Sequence, residues 1–470
     1  MVRRLETPAS ASDSLEQLRH AAGLPVHASA RVRITGADPI VRTVYRVAEA
    51  GAVAIASVGM GAAWLWEQAH GEAQEVDVDA TAAAAAMQSF KFLRVDGRPP
   101  GPVMDEMTGF YRVKDGRWVY LHCNFGNLAE RNCQVLGARP ASESLKAQAA
   151  RWDGAALEEA IAAAGGCGAL VRSEDEWHSH PQGVAAAAAP PLEILRIGDA
   201  PPEPLPMRGR PLGGVRVLDL TRVLAGPTCA KALAEHGAEV LKISCPGLPD
   251  SGILDVDTGL GKLSAHLDLR DGAQLQTLRQ LVKQCDVFSQ AYRPGSLDRR
   301  GLAPAQLAAL RPGIVAVTLN AWGFEGPWSD RRGYDTVVQA ANGMARSSGH
   351  DLPVCLPVSV QDYVAGYLMA YGTMVALSRR VAEGGSWLVR VSLAACGEWI
   401  RRHGRIAPDE CAPYPLTVPD ALVQPWLAQS ASRFGVLTHL GPVTQMSSTP
   451  TRWTRPVVEA GTSPARWPND

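Results

Sequence analysis

The chain has 470 residues, enough for two or three domains with hydrophobic cores of their own. Its 46 Lys and Arg residues nearly balance 47 Asp and Glu residues, so the bulk charge gives no reason to expect nucleic acid or an anionic membrane as a partner. Nine cysteines are scattered without a CxxC pair or a Cys/His cluster at zinc spacing, which predicts reduced thiols, a cytoplasmic location and no metal centre.

The N-terminal part shows no targeting or membrane pattern. The opening MVRRLETPASASDS has no apolar core of the kind a signal peptide needs. The uncharged stretch 50–66 is mostly Ala and Gly and falls short of the roughly 20 strongly apolar residues of a membrane span. We therefore expect no membrane partner and interpret 50–66 as part of a buried helix, followed by a strand at 75–79 and an Ala-rich helix at 80–91.

The clearest hairpin pattern is FYRVKDGRWVYLHC, residues 110–123. Aromatic and β-branched residues flank Asp115-Gly116, a pair that suits a tight turn. A Pro-rich stretch at 199–214 then predicts an extended linker. We therefore place a smaller α+β domain at residues 1–205.

The second unit, residues 206–405, alternates between strand and helix patterns. The strand patterns lie at 215–220, 238–243, 286–291 and 314–320. This alternation predicts a Rossmann-like, doubly wound parallel sheet, so the predicted fold class is α/β with a smaller α+β domain. The remaining residues, 406–470, are rich in Pro, Ser and Thr and predict an irregular C-terminal tail.

The two units share a similar order of sequence patterns, which we call the internal echo. Residues 50–79 and 365–394 each combine a small-residue helix with a strand that follows at a constant offset. Few identities accompany the pattern, so on the residues alone a true repeat and a coincidence explain it equally well.

Three segments with Gly and Pro, at 223–227, 292–295 and 322–327, follow the ends of predicted strands. Ligands of such sheets bind at the carboxyl ends of the strands, so the three segments are expected to share one crevice. The first segment, VLAGP, lacks G-x-G-x-x-G, which argues against a nicotinamide dehydrogenase. The helix start after it offers unpaired amides to a phosphate, although an ordinary strand–helix turn explains the same residues.

Charged residues near these segments are candidates for catalysis and for binding an anionic ligand. Asp335 follows Gly333-Tyr334, and a carboxylate held in a dry site is able to act as a covalent nucleophile. The competing interpretation is a helix N-cap, because a credible helix follows. Lys242, Lys262 and Arg293 lie close to strand ends, where they either meet the phosphates of an anionic ligand or remain solvated surface charges.

Residues 213–400 resemble the N-terminal half of the class III CoA-transferases, the CaiB/BaiF type, which include formyl-CoA:oxalate and carnitine CoA-transferases and α-methylacyl-CoA racemase. The shared motifs are VLDLTRVLAGP, GAEVLKI, GKLSAHLDL, RPG, GFEGP and GYD. The resemblance implies a Rossmann-like large domain with a small domain, and subunits that assemble as interlocked homodimers.

The resemblance also implies a reaction. Asp335 falls on the nucleophile that attacks an acyl-CoA thioester and forms an aspartyl-acyl anhydride. Five residues fall around bound coenzyme A: Val223, Ala225, Lys242, Lys262 and Arg293. The implied function is a CoA-transferase that acts on an acyl-CoA and a carboxylic acid acceptor. Coenzyme A is then a substrate, no cofactor is bound permanently, and amides of the segment 323–326 are candidate donors to the oxyanion.

Residues 30–200 resemble the C-terminal half of the same family. The chain therefore presents a C-terminal half first and an N-terminal half second, with a single GYD aspartate, and the internal echo becomes a true repeat. A fused or rearranged relative of the family is expected.

Two departures from the family pattern keep alternatives open. The segment 244–259, SCPGLPDSGILDVDTG, replaces an acidic, arginine-containing stretch, which leaves a non-catalytic acyl-CoA-binding protein as one alternative. An acyl-CoA racemase or isomerase is the other. It needs a histidine beside Asp335, and none lies between His266 and His350, so His178 or His180 would have to serve.

Overall fold

The computed structural model describes residues 10–248, 251–346 and 352–468. The α-helices are α1 Ala11–Ala22, α2 Val47–His70, α3 Ala80–Ala86, α4 Gly126–Leu136, α5 Ser142–Ala149, α6 Gly154–Ala163, α7 Glu174–Ser179, α8 Pro181–Ala188, α9 Ala225–Glu235, α10 Ile253–Thr258, α11 Gly272–Lys283, α12 Pro304–Leu310, α13 Asp335–Ala341, α14 Val360–Glu383, α15 Leu393–Arg402, α16 Pro408–Cys411 and α17 Asp420–Val423. The strands are β1 Val32–Thr35, β2 Val76–Asp79, β3 Arg94–Val95, β4 Gly109–Arg112, β5 Trp118–Leu121, β6 Gly168–Leu170, β7 Glu193–Gly198, β8 Arg216–Leu220, β9 Glu239–Ser244, β10 Lys262–His266, β11 Val287–Gln290, β12 Val315–Asn320, β13 Ser386–Ser392, β14 Leu427–Ser432, β15 Gly435–Leu440 and β16 Gln445–Met446.

A seven-stranded sheet organises the second unit, in the order β10-β9-β8-β11-β12-β13-β7. All neighbours pair in parallel except β7, which runs antiparallel to β13. The prediction of a large, mostly parallel sheet in a mixed α/β protein is confirmed. From β8 the chain proceeds to β9 and β10 on one side and then to β11 on the other, so the strand order reverses between β8 and β11. Such a reversal opens a crevice at the carboxyl ends of the strands.

Two long helices form the centre of the protein. Helices α2 and α14 each have 24 residues and pack against one another through small residues. A Cβ atom at Gly61 would lie 3.2 Å from the side chains of Tyr371 and Met374, so glycine permits the close approach. Among the described helices, α2 alone is long and apolar enough to cross a membrane, and most of it is buried inside the protein, as predicted.

Two hairpins flank the large sheet. Strands β4 and β5 pair with Phe110 opposite Tyr120, and Gly116 in their turn has a φ of 80°, so the hairpin predicted at 110–123 is confirmed. The prediction of an irregular tail is wrong in part, because β14 and β15 form a second hairpin, which gains β3 as its third strand. Small polar residues in LAQSAS hid this hairpin, and its third strand comes from a distant part of the chain.

The internal echo is a structural repeat. In the first repeat β1 and β2 are parallel, α2 connects them, and α3 begins directly after β2. In the second repeat β12 and β13 are parallel, α14 lies between them, and α15 begins directly after β13. The last strand of each repeat pairs with a strand of the other repeat. Strand β7 of the first repeat pairs with β13, and β16 of the second repeat pairs with β2. The two repeats therefore interlock within one chain, and the domain boundary predicted at residue 205 separates β7 from the rest of its sheet.

Candidate functional site

Asp335 begins helix α13, at the end of the loop that leaves β12. The N-cap position belongs to Tyr334, whose side chain makes no capping bond, so the N-cap interpretation of Asp335 is wrong. A Cβ atom at Gly333 would lie 2.4 Å from Cβ of Ala321, which explains the glycine of the GYD motif. The Asp335 side chain is buried, with 3% of the residue exposed.

The second repeat holds the Asp335 carboxylate in place. The backbone N–H of Asp362 donates to Oδ2 at 3.0 Å, and the side-chain amide of Gln339 donates to Oδ1. The Gln361 amide donates to the backbone carbonyl of Asp335 at 3.2 Å. Each carboxylate oxygen has a second lone pair, so both retain acceptor or nucleophilic capacity.

Burial controls the ionisation of this group. It raises the pKa of Asp335 to about 6, while the hydrogen bonds from Asp362 and Gln339 oppose the shift. Burial, assisted by the charge of Asp335, also holds the pKa of Asp362 well above its usual range. The two carboxyl groups therefore share a dry environment and titrate as a pair.

The first repeat covers this site. The imidazole of His122 stacks on the ring of Tyr334, with centroids 4.1 Å apart and planes 14° from parallel, and Phe125 lies 5.7 Å from the same ring. Burial lowers the pKa of His122 to about 3, so the ring is neutral at pH 7. In the described part of the chain neither of its nitrogens has a hydrogen-bond partner. His122 and Phe125 of the first repeat thus contact Tyr334, the residue directly before Asp335.

A cavity of about 280 Å³ occupies the crevice where the strand order reverses. Its walls come from Leu220 at the end of β8 and from the loops that follow β9, β10 and β11, and include Leu248, Leu269, Arg270, Tyr292 and Arg300. The prediction that segments 223–227, 292–295 and 322–327 share one crevice is wrong, because the wall of this cavity contains Tyr292 but no residue of the other two segments, and 322–325 line a separate cavity.

The loop after β8 carries Arg222, which lies near both Tyr292 in the crevice wall and Tyr334, the residue before Asp335. Val223 has a φ of 70°, a left-handed conformation that is strained for a β-branched residue. Ala225 is buried at the start of α9. The Arg222 guanidinium lies 5.6 Å from the Phe125 ring, and its charge lowers the pKa of both Tyr292, in the crevice, and Tyr334, opposing the effect of burial on each.

Arg222 was not predicted as a site residue. Its signal was present, because it stands inside VLDLTRVLAGP at the carboxyl end of a strand, directly before Val223. His122 was also missed, since nothing in the sequence places the first hairpin over Tyr334.

The two predicted lysines have partners inside the protein. Lys262 is 2% exposed, and its Nζ lies 3.0 Å from Asp219 and 2.8 Å from the carbonyl of Pro227. In this structure Lys262 is an internal ion-pair partner, and it does not line the crevice. Lys242 Nζ lies 2.5 Å from Asp255, which belongs to the segment 244–259 that departs from the family pattern.

Arg293 lines a second cavity, of about 210 Å³, between the two repeats. Tyr292 lines the crevice while the next residue lines this second cavity, so the loop after β11 separates the two spaces. Trp322, Trp328 and Arg332 form further parts of its wall.

The remaining predicted groups lie elsewhere. His178 pairs with Glu398 at 3.0 Å, and His180 accepts a hydrogen bond at the start of α8. The N–H of Gly323, a candidate oxyanion donor, is already bonded to Oδ1 of Asn320 at 2.6 Å. Across residues 10–248, 251–346 and 352–468 no group of three or more His, Cys, Asp or Glu side chains is arranged to hold a metal ion.

Comparison with known proteins places the repeats in one family. The profile of CoA-transferase family III matches residues 27–191 and 212–402. The chain belongs to CoA-transferase family III. The two matched segments of this family III chain correspond to the first and second repeats.

The matches between this family III chain and its curated relatives cover only part of each protein. It is similar to the acetyl-coenzyme A transferase nodX of Hypoxylon pulicicidum, with 30% identity over 325 residues that cover 63% of this chain and 54% of the relative. An acyl-CoA transferase of Gibberella moniliformis is 30% identical over 63% of this chain and 56% of its own length. The chain spans about half the length of the curated relatives it matches.

A solved structure, that of the hypothetical protein Rv3272 from Mycobacterium tuberculosis, is 32% identical to this family III chain. The similarity covers 40% of this chain and 56% of that one, with a TM-score of 0.38.

Proposed function

We propose that this chain moves CoA between an acyl-CoA and a carboxylic acid through an aspartyl-acyl anhydride on Asp335. The observation that carries the proposal is the setting of this carboxylate: it is buried and held by two hydrogen bonds, and Arg222 lies near both Tyr334 beside it and Tyr292 in the crevice wall. Both substrate classes follow from the family.

The proposed reaction begins when Oδ of ionised Asp335 attacks the thioester carbonyl. The C–S bond breaks, CoA thiolate leaves, and an anhydride of the acyl group with Asp335 forms. An acceptor carboxylate next attacks the acyl carbon, which frees the Asp335 carboxylate and leaves a mixed anhydride of the two acids. The thiolate then attacks the acceptor carbonyl, forming the new thioester and releasing the donor acid. No proton or electron is gained or lost in the sum.

Charged groups of this chain support the separated thiolate and carboxylate. Arg222 lies between the crevice and Tyr334, where its positive charge stabilises the leaving thiolate. The first hairpin excludes water from the anhydride, which would otherwise hydrolyse.

Intact-mass measurement after mixing with a panel of acyl-CoAs tests this function. We expect a mass increase equal to the acyl group, located on the peptide that contains Asp335 and removed by hydroxylamine. An adduct on another residue, or CoA binding without any adduct or exchange, would contradict the proposal.

The contact between His122 and Tyr334 favours one second candidate, an acyl-CoA racemase or isomerase. The imidazole of His122 contacts the residue before Asp335, but burial lowers its pKa to about 3 and makes it a weak base, so this candidate ranks second to CoA transfer. Exchange of the α-proton with deuterated solvent, in the absence of any acceptor acid, would separate this activity from CoA transfer.

A substitution at Gly226 tests the role of the loop after β8. A Cβ atom there would lie 2.3 Å from Cβ of Thr221, so Gly226→Ala must displace the loop that carries Arg222. We expect roughly a tenfold or greater loss of affinity for CoA, measured by calorimetry, together with a stability loss of about 1–3 kcal/mol. Gly272→Ala is the matched control, since its Cβ would meet nothing within 4 Å, and it should leave CoA affinity unchanged. Equal affinity in both variants would show that the loop makes no contribution to binding.

A further inference from the structure

We infer that Gln361 and Asn342 are positioning residues, which together fix the carboxylate of Asp335 against the start of helix α14. The inference rests on the proposed function and deepens it by naming the groups that control the geometry of the reactive carboxylate. It comes from a chain of hydrogen bonds whose direction is set at its far end.

The side-chain amides of Gln361 and Asn342, which we call the amide pair, join helices α13 and α14. Both residues are 0% exposed. The Asn342 amide donates to Oε1 of Gln361 at 2.9 Å, and the Gln361 amide donates to the backbone carbonyl of Asp335 at 3.2 Å. Asp335 begins α13 and Asn342 directly follows it, so Gln361 at the start of α14 bonds to groups from both ends of that helix.

The backbone N–H of Met344 sets the orientation of the amide pair. This N–H donates to Oδ1 of Asn342 at 3.2 Å, so the oxygen of the Asn342 amide faces Met344 and its NH₂ group faces Gln361. Gln361 must then present its oxygen to Asn342, which turns its own NH₂ group towards Asp335. The backbone at Met344 therefore specifies which end of the Gln361 amide meets Asp335.

The amide pair controls how α14 meets the reactive carboxylate. Gln361 directly precedes Asp362, whose N–H donates to Oδ2 of Asp335 at 3.0 Å. Burial raises the pKa of Asp335, and backbone hydrogen bonds from Asp362 and Gln361 oppose that shift because they favour the ionised carboxylate. Displacing the Gln361 side chain therefore weakens the contacts that stabilise the ionised nucleophile.

Helix α15 provides the space that the amide pair occupies. A Cβ atom at Gly397 would lie 2.5 Å from Oε1 of Gln361 and 2.7 Å from Nδ2 of Asn342. Arg401, one turn later, donates to the backbone carbonyl of Asn342 and pairs with Glu398 at 2.5 Å. Helix α15 thus makes room for the amide pair and fixes the main chain at Asn342.

Gly397→Ala tests the inference, because its methyl group displaces both amides without removing either. We expect the rate of acyl-enzyme formation from acetyl-CoA, butyryl-CoA and succinyl-CoA, followed by intact mass, to fall roughly a hundredfold, the effect of misplacing a reacting group by about 1 Å. The affinity for free CoA, measured by calorimetry, should stay unchanged. Gly59→Ala is the matched control. Its Cβ would lie 2.5 Å from the side chain of Val76 and 2.8 Å from that of Thr444, so it causes equal crowding and should keep the acylation rate.

Gln361→Met removes one amide and keeps a side chain of similar length, and its pH profile separates positioning from a purely structural role. Weaker hydrogen bonds from the start of α14 raise the pKa of Asp335 above about 6, so the pH at half-maximal acylation should rise by roughly one unit. Burial raises the pKa of the neighbouring Tyr120, Cys355 and Asp362, so these groups stay neutral in this range. A purely structural role would lower stability and leave the pH at half-maximal acylation in place.

Two results would overturn the inference. One is an acylation rate in Gly397→Ala equal to that in Gly59→Ala. The other is a folded Gln361→Met variant that keeps the acylation rate and the pH profile of the unmodified protein. If Gln361→Met does not fold, the comparison of the two glycine variants decides.

The inference and the proposed function give distinguishable failures. An adduct on a residue other than Asp335, still slowed by Gly397→Ala, would contradict the assigned nucleophile alone. An adduct on Asp335 that forms at one rate in both glycine variants would contradict the role of the amide pair alone. The absence of any adduct would contradict both.

Discussion

Asp335→Asn should abolish the acyl-enzyme adduct and lower CoA transfer by more than about 10³-fold, as expected when a covalent nucleophile is removed. An amide is a poor nucleophile, but it has nearly the shape of the carboxylate. Its oxygen still accepts the N–H of Asp362, which lies 3.0 Å from Oδ2 of Asp335. The loss would therefore report chemistry and not misfolding, as checked by intact mass and by steady-state transfer from one acyl-CoA to an acceptor acid.

Asp38 offers the matched control, because the first repeat reproduces the setting of Asp335. Asp38 follows Gly36-Ala37, and its carboxyl accepts N–H groups of Ala48 and Glu49 at 3.2 and 2.9 Å. Glu49 is the third residue of α2, as Asp362 is the third residue of α14. Asp38→Asn should leave the adduct intact. Retained acylation in Asp335→Asn, or its loss in Asp38→Asn, would contradict the assignment of the nucleophile.

Asp335→Asn should be more stable than the unmodified protein at neutral pH. Burial raises the pKa of Asp335 from 3.8 to about 6 in the folded protein, so the folded state favours the protonated form. The stability this provides is present at low pH and is lost as the pH rises through the window from 3.8 to about 6. Asp335→Asn removes a penalty on the order of 2–3 kcal/mol at pH 8, less about 1 kcal/mol for the hydrogen bond from Gln339, which the Asn NH₂ group cannot accept. Urea unfolding at pH 5 and pH 8 should show the larger gain at pH 8, and the acylation rate of the unmodified protein should rise with pH through about 6, the pKa of Asp335 in the folded state.

Lys262→Met should lower the free energy of unfolding by about 3–5 kcal/mol, the range for removing one partner of a buried ion pair. The change leaves Asp219, which is fully buried, without its cation. Asp219 also accepts from the backbone and hydroxyl of Thr221, at 2.9 and 2.5 Å, so the loop after β8 should loosen as well. Denaturant unfolding with a parallel CoA titration measures both effects.

Lys242→Met is the control for this prediction. Its ion pair with Asp255 is partly exposed, so its loss should cost only about 0–1 kcal/mol. Combining Lys262→Met with Asp219→Asn should recover part of the lost stability, since no buried charge remains. Equal effects of the two single lysine variants would contradict the ion-pair explanation.

Local patterns predicted the elements whose stability is mostly local. The hairpin at 110–123 has its own turn chemistry, and strand–helix alternation is enough to indicate the parallel sheet. Contacts between distant residues were not predictable. Lys262 looks like a surface charge until Asp219, 43 residues earlier, is seen beside it. Neither His122 nor Asp38 was predicted as a site residue, because their positions relative to Tyr334 and to α2 are visible only in the folded chain.

The fusion of the two repeats has a consequence for how the site behaves on dilution. When a catalytic pocket is assembled from separate subunits, the fraction of complete pockets falls with protein concentration. Here the hairpin that covers Tyr334 and the aspartate beneath it are joined by one polypeptide, which fixes their effective concentration. Specific activity should therefore be constant down to the lowest assayable protein concentration. It should also not rise when a catalytically inactive variant of the same protein is added.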